Sequence, residues 1–213
     1  MQRTIVPAVE IRWRRPTPVE AAVDCFALFA ATVLVMPFIK DGYVVRQTIS
    51  EGAVGDLGWV QALGLLALAG GSLLVARLLM HAGMRMSAAL ITASACCVVV
   101  LVVFPTDAGD ASKTLAGRVH YLFASVAFLA IIAAMLWSAR AFRGDVRLRH
   151  IAMPSVALGM TSAILLAALA IDVEPRGVVQ RGAAMCNVAW LATVTLRLRP
   201  AGSGADDAAE ADV

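Results

Sequence analysis

The chain has 213 residues, of which 60% are hydrophobic and only 15% charged, with a mean hydropathy of +0.80. Soluble domains carry about a quarter charged residues, so this balance excludes an ordinary soluble fold and points to a membrane protein. The net charge is +3, but the basic residues are scattered between apolar runs and form no patch, which argues against a nucleic-acid partner.

Residues 1–18 hold four arginines ahead of an apolar run, as a secretory signal does, yet no small-residue cleavage site follows. The first run is therefore read as a retained span and residues 1–18 as a cytoplasmic N-terminal segment. Six stretches have the roughly 20 mostly apolar residues that a span needs: 19–39, 59–79, 87–104, 115–137, 151–171 and 178–196. Each must be helical, because hydrocarbon offers the backbone no hydrogen-bond partner and no barrel-type alternation is present. The expected fold is all-α and polytopic, a compact bundle of six transmembrane helices over residues 19–197. Small residues recur at four-residue spacing in Ala67 and Gly71 and in Gly159 and Ala163, which would let helices approach closely. Residues 198–213 are small, acidic and aperiodic, and are predicted to be a disordered cytoplasmic tail.

Orientation follows from the basic residues in the connections. With the N-terminus inside, twelve arginines fall on the cytoplasmic side, against six basic residues outside: Lys40, Arg46, Lys113, Arg118, Arg176 and Arg181. Both termini are expected in the cytoplasm, with the protein in the inner (plasma) membrane. Sixteen arginines against two lysines suggest a GC-rich bacterial genome. Trp13, Trp59, Trp137, Tyr43 and Tyr121 fall near span ends, as an interfacial aromatic belt requires. Cys25, Cys96, Cys97 and Cys186 lie inside apolar runs and read as small buried hydrophobes, with neither a disulfide framework nor a metal knuckle.

The polar stretches 40–59, 104–121 and 172–181 converge on the outer face. Six bases there meet seven acids, a balance that suggests mutual pairing. His120 and Arg181 lie about one turn inside their helices, where an ionisable group is costly unless it snorkels, pairs or faces a cavity. Asp107 and Glu51 are the carboxylates placed to partner them, and a direct Asp107 to Arg181 pair is expected. Three spans begin on this side, so three positive helix ends would favour an anion. The candidate ligand-binding set is Glu51, Asp107, Asp110, Arg118, His120 and Arg181, for an anionic lipid or lipid-linked headgroup.

The loop ISEGAVGD after the first span, FPTD closing the third, a histidine opening the fourth and QRGAAMCNVAW in the sixth together resemble the membrane proteins of domain-of-unknown-function family 998. The resemblance covers about residues 19–196. It implies a six-helix fold and brings no known activity. Ser50, Glu51, Pro105, Asp107 and His120 match what is taken as the family's polar signature.

Two other chemistries use the same residues. A lipid hydrolase or transferase would gather Asp107, Asp110 and His120 around a zinc, although no HxxxH or HExxH pair supports it. A metal-free version would have Asp107 orient His120, with Ser50, Thr106 or Ser112 as nucleophile. A transporter would use mid-membrane polar groups, for which Asn187, Asp24 and Pro154 are the candidates. His81 and His150 lie on the side opposite His120, so a two-histidine haem is not favoured, and neither lysine is deep enough for a retinal Schiff base. No cofactor is expected, and the reading is a binding, sensory or accessory protein whose partners are membrane lipids.

Overall fold

The computed structural model describes residues 16–107 and 114–198. Among these residues there are seven helices and no strand: α1 (Pro18–Ile39), α2 (Ile49–Gly52), α3 (Gly58–His81), α4 (Arg85–Val103), α5 (Leu115–Arg143), α6 (Arg149–Ala170) and α7 (Arg176–Arg197). Trp13, Asp110, Lys113, most of the N-terminal segment and nearly all of the predicted tail lie outside the described residues.

Helix starts follow local chemistry. Thr17 caps α1 by accepting from Glu20 N while its own N–H donates to the Glu20 carboxylate, and Pro18 takes the first helical position, where its missing N–H costs nothing. The same reciprocal box, Thr48 with Glu51, starts α2. Gly83, at φ +79°, supplies the left-handed residue that reverses the chain between α3 and α4.

The six long helices close a ring in chain order. α1 packs on α3, α3 on α4, α4 on α5, α5 on α6, α6 on α7, and α7 returns to α1, while α3 and α5 also reach α7. Two apolar clusters fill the ring. One gathers Phe26, Val75, Leu79, Ile91, Met135, Phe142, Trp190 and Leu191, and the other Phe29, Val33, Ile49, Leu65, Val98 and Ala184. Large apolar side chains also face outward, among them Leu34, Phe38, Leu129 and Ile164. That inside-and-outside hydrophobicity belongs to a helix bundle solvated by lipid.

Five of the long helices are long and apolar enough to cross a membrane. The exception is α7, which has their length but carries Arg176, Gln180, Arg181, Asn187 and Arg197 in 22 residues. The one-turn α2 was not expected, and it sits at the end of the bundle where α1 ends and α3 begins, here called the roof. Trp59, Tyr121 and Trp137 are exposed near helix ends, whereas Tyr43 is buried and forms no part of a surface belt. Cys97 is buried, but Cys96 faces outward, so the four thiols are not uniformly core residues.

The expected close approaches at Gly71 and Gly159 are present. A Cβ at Gly71 would lie 2.7 Å from Phe26 Cε1 of α1, and one at Gly159 would lie 3.2 Å from Met135 Cβ of α5. The tightest α1 to α3 contact is at Gly64, where a Cβ would overlap the Thr32 hydroxyl. That hydroxyl donates to Phe29 O at 2.8 Å and faces Gln61 Nε2 at 3.5 Å, so it cannot simply swing away. Gly64→Ala is therefore expected to destabilise the protein by about 1–3 kcal/mol in detergent melts. Gly70→Ala, whose methyl would meet only Cys25 Sγ at 4.0 Å, should be neutral or slightly stabilising. Equal effects at both sites would refute this packing.

Candidate functional site

Arg181 stands in the second turn of α7 and reaches back across 136 residues to the connection after α1. Its Nη1 donates to Val45 O and Gln47 O, both at 2.7 Å, and to Gly177 O at 3.1 Å, while Nη2 donates to Tyr43 Oη at 2.5 Å. The Nε is buried without a partner. Tyr43 continues the chain of bonds by donating to Thr48 O at 2.9 Å, and its ring lies 5.5 Å from the guanidinium. The residue is only 4% exposed. Burial pushes its phenol above the ordinary value of 10.0, and the opposing pull of the Arg181 charge does not cancel this, so Tyr43 keeps its proton.

Neighbouring contacts hold the same connection down. Gly177 N donates to Arg46 O at 2.8 Å, and a Cβ at Gly177 would overlap the carbonyls of Val45 and Gln47 and lie 2.5 Å from Arg46 O. Gln180 Oε1 accepts from Ile49 N at 2.6 Å, so α7 also closes the first turn of α2. Lys40 Nζ donates to Gly52 O at 3.0 Å and to Val54 O, at the other end of α2. Glu51 Oε2 accepts from Thr48 N at 2.6 Å and from Thr48 Oγ1 at 2.8 Å. The roof is thus fastened chiefly by side chains satisfying backbone groups that no regular element satisfies.

Asp107 and His120 occupy a different corner, where α4 turns into α5. Thr114 Oγ1 donates to Asp107 Oδ1 at 2.7 Å, Thr114 N donates to Oδ2 at 3.3 Å, and Gly117 N donates to Thr114 Oγ1 at 3.0 Å. Asp107 therefore helps to cap α5, and a Cβ at Gly117 would overlap its carboxylate. His120 is 4% exposed, its Nδ1 is 2.7 Å from Phe104 O, and its Nε2 is buried without a partner.

The expected pairing of Asp107 with Arg181 is not formed. The arginine satisfies carbonyls and a tyrosine, and the carboxylate satisfies a threonine. Of the candidate set, the fold groups Glu51 with Arg181 around the first connection and Asp107 with His120 at the α4 to α5 corner. Arg118 is exposed on α5, and Asp110 lies outside the described residues. Among the described residues no three His, Cys, Asp or Glu side chains come together as metal ligands.

Under α2 lies a cavity of about 80 Å³ that sequence reasoning did not locate. Ile49 and Ser50 of α2 line it, with Leu65 and Leu68 of α3, Val98 and Leu101 of α4, Ala127 and Phe128 of α5, and Gln180, Ala184 and Asn187 of α7. Ser72 and Ser94 also line it, but their hydroxyls donate to Leu68 O and Ala127 O. Tyr43, expected in the aromatic belt, and Gln180, at the head of QRGAAMCNVAW, carried no sequence signal for these contacts, whereas the Thr48 to Glu51 spacing is a capping-box signature that marks α2.

Arg181→Gln and Tyr43→Phe are each expected to lower thermal stability in detergent by about 1–3 kcal/mol, the cost of a broken hydrogen bond to a charged group. The double variant should lose less than the sum by at least about 0.5 kcal/mol, because the two side chains touch. Asp107→Asn combined with Arg181→Gln should instead add to within about 0.5 kcal/mol. Strong coupling in that second pair would restore the direct ion pair.

A profile of the family described as "Protein of unknown function (DUF998)" matches residues 24–197. No curated protein and no solved structure matches the chain. The match runs from Asp24 in α1 to the end of α7 and includes both polar corners, and on that extent the chain belongs to the DUF998 family of membrane proteins.

Proposed function

We propose that the protein is a six-span binding or accessory protein of a bacterial inner membrane, which takes a lipid or lipid-linked molecule at its roof. The cavity beneath α2 carries this reading. It lies inside the ring, is lined mainly by apolar side chains, and is covered by a short element held through a few polar contacts. The hydrocarbon part of the ligand draws more support than an anionic headgroup, because no Lys or Arg lines the cavity, and Arg181 and Lys40 are spent on backbone carbonyls. A hydrolase at Asp107 and His120 gains no support from the geometry, since Asp107 is turned onto Thr114 and His120 Nδ1 onto Phe104 O. The cavity does reach Asn187, which favours a second reading in which it is a stage in moving a small molecule across the membrane.

In this reading α7 is the sixth span. Arg176 and Arg181 sit in its first two turns, where long side chains can reach the interface or, as with Arg181, a carbonyl cluster. The twelve-to-six basic asymmetry supports an orientation with the roof outside and both termini in the cytoplasm. In a background without the four native cysteines, a cysteine at Asp56 should react with an impermeant maleimide from outside, and one at Gly144 only after permeabilisation. The reverse pattern would overturn the orientation.

The binding reading predicts that purified protein retains lipid. Ala184→Leu, which fills the cavity from α7, should cut the lipid recovered per protein several-fold while melting stays near wild type. Leu129→Ala, on the outward face, should leave recovery unchanged. Equal lipid content in all three proteins would refute a cavity-bound ligand. Flux of labelled substrate into sealed vesicles would instead promote transport.

A further inference from the structure

Asn187 is a polar side chain set two turns below Gln180 on α7, and only 8% of it is exposed. Its Oδ1 accepts from Ser162 Oγ of α6 at 2.9 Å, which fixes the amide so that the oxygen is engaged and the NH2 is the free end. That Nδ2 donates no hydrogen bond within the protein, and Asn187 lines the cavity. Gln180 repeats the arrangement nearer the roof: Oε1 accepts from Ile49 N, and Nε2 donates to nothing. At 1.5 Å of rise per residue the two amides are roughly 10 Å apart along one face of α7. Two amide donors are therefore presented, with their orientation already fixed, in a wall that is otherwise largely apolar apart from the Ser50 hydroxyl of α2 and the engaged hydroxyls of Ser72 and Ser94.

Three features define what these donors would take. Nitrogen-bound hydrogens require an acceptor, which for these two amides only water or a ligand oxygen in the cavity can supply. No Lys, Arg, His, Asp or Glu lines the cavity, so a charged group would enter it unpaired at high cost. About 80 Å³ is far below the ~300–1,000 Å³ of a drug-sized pocket, so the cavity holds a linkage and only the adjoining few carbons of a chain, the remainder extending beyond it, unless α2 moves. We propose that the cavity binds a single acyl chain through its uncharged carbonyl linkage, an ester or amide. The carbonyl oxygen accepts from Asn187 Nδ2, a further oxygen of the linked group accepts from Gln180 Nε2, and the hydrocarbon lies against Leu65, Leu68, Phe128 and Ile131. This rests on the lipid-binding reading above and specifies which part of the lipid is recognised.

The test is a competition followed by native mass spectrometry of detergent-purified protein, using 1-decanoylglycerol, its ether analogue 1-O-decylglycerol, which lacks the carbonyl, and decanoate. The ester should be retained over the ether by about five- to tenfold, the worth of one hydrogen bond to a strong acceptor. It should also be retained over decanoate. In a variant carrying Asn187→Leu with Ser162→Ala, both hydrogen-bonding partners are replaced by apolar groups, an exchange expected to be nearly neutral for folding. There the ester preference should fall to within about twofold, while the ether is still retained. Equal retention of ester and ether by the unaltered protein, preference for decanoate, or an unchanged ester preference in the double variant would each overturn the assignment. Retention of neither glycerol derivative by the unaltered protein would instead remove the lipid-binding reading itself, and this assignment with it. If the double variant does not fold, the comparison in the unaltered protein still decides.

Discussion

Hydrocarbon can neither donate nor accept a hydrogen bond, and a packed interior offers only what the chain itself supplies, so buried backbone that leaves a helix has to find its partners within the protein. Within the long helices the backbone satisfies itself. The difficult segment is the connection between α1 and α3, whose carbonyls at Val45 and Gln47 have no regular partner and point to the first turns of α7. One guanidinium serves both, with Gly177 O and Tyr43 Oη as well. Arg can do this because its donors are spread over a rigid planar fork, whereas all three donors of a lysine radiate from one nitrogen. The lack of a side chain at Gly177 lets the connection lie directly on the helix.

The cavity follows from the same arrangement. A ring of six helices joined in chain order leaves a centre that must be filled by side chains, and near the roof α7 contributes small or polar residues at Ala184, Gln180 and Asn187. The other end is filled by Trp190, Met135, Phe142 and Leu79, each with essentially no exposure. The interior is thus packed tightly around Trp190 and incompletely nearer the roof, where α2 covers it. Empty volume in a close-packed interior forfeits dispersion contacts, which a slender apolar ligand would restore.

The helices were legible because about 20 apolar residues have one meaning in a membrane, and the glycines at 71 and 159 were legible from their spacing. The partners of Arg181 were not. Opposite charges invite pairing on paper, so Asp107 stood out, while the carbonyls of Val45 and Gln47 carry no letter of their own. Tyr43 was misplaced for a related reason: near a span end, a tyrosine belonging to the interface and one buried under a guanidinium look alike. The depth of His120 was readable but its contact with Phe104 O was not, again because the acceptor is backbone. Asn187 is legible as a polar group in mid-span, while its hydrogen bond from Ser162 of α6 is not. Its spare NH2 becomes meaningful only once the cavity is seen.

Arg181 lies in the last of the ring's six long helices to be synthesised, yet the backbone it satisfies belongs to the first connection between them. At about 5–20 residues per second, roughly 7 to 27 s separate the synthesis of Val45 from that of Arg181. During that interval the carbonyls around Gln47 must be served by water or by the insertion machinery, and the space under α2 has no wall on the α7 side. Closure of the roof is therefore an event of assembly as well as a feature of the finished bundle. A chain that stops before α7 carries every other helix of the ring and still presents an unfastened connection, a difference that membrane quality control could read as incompleteness.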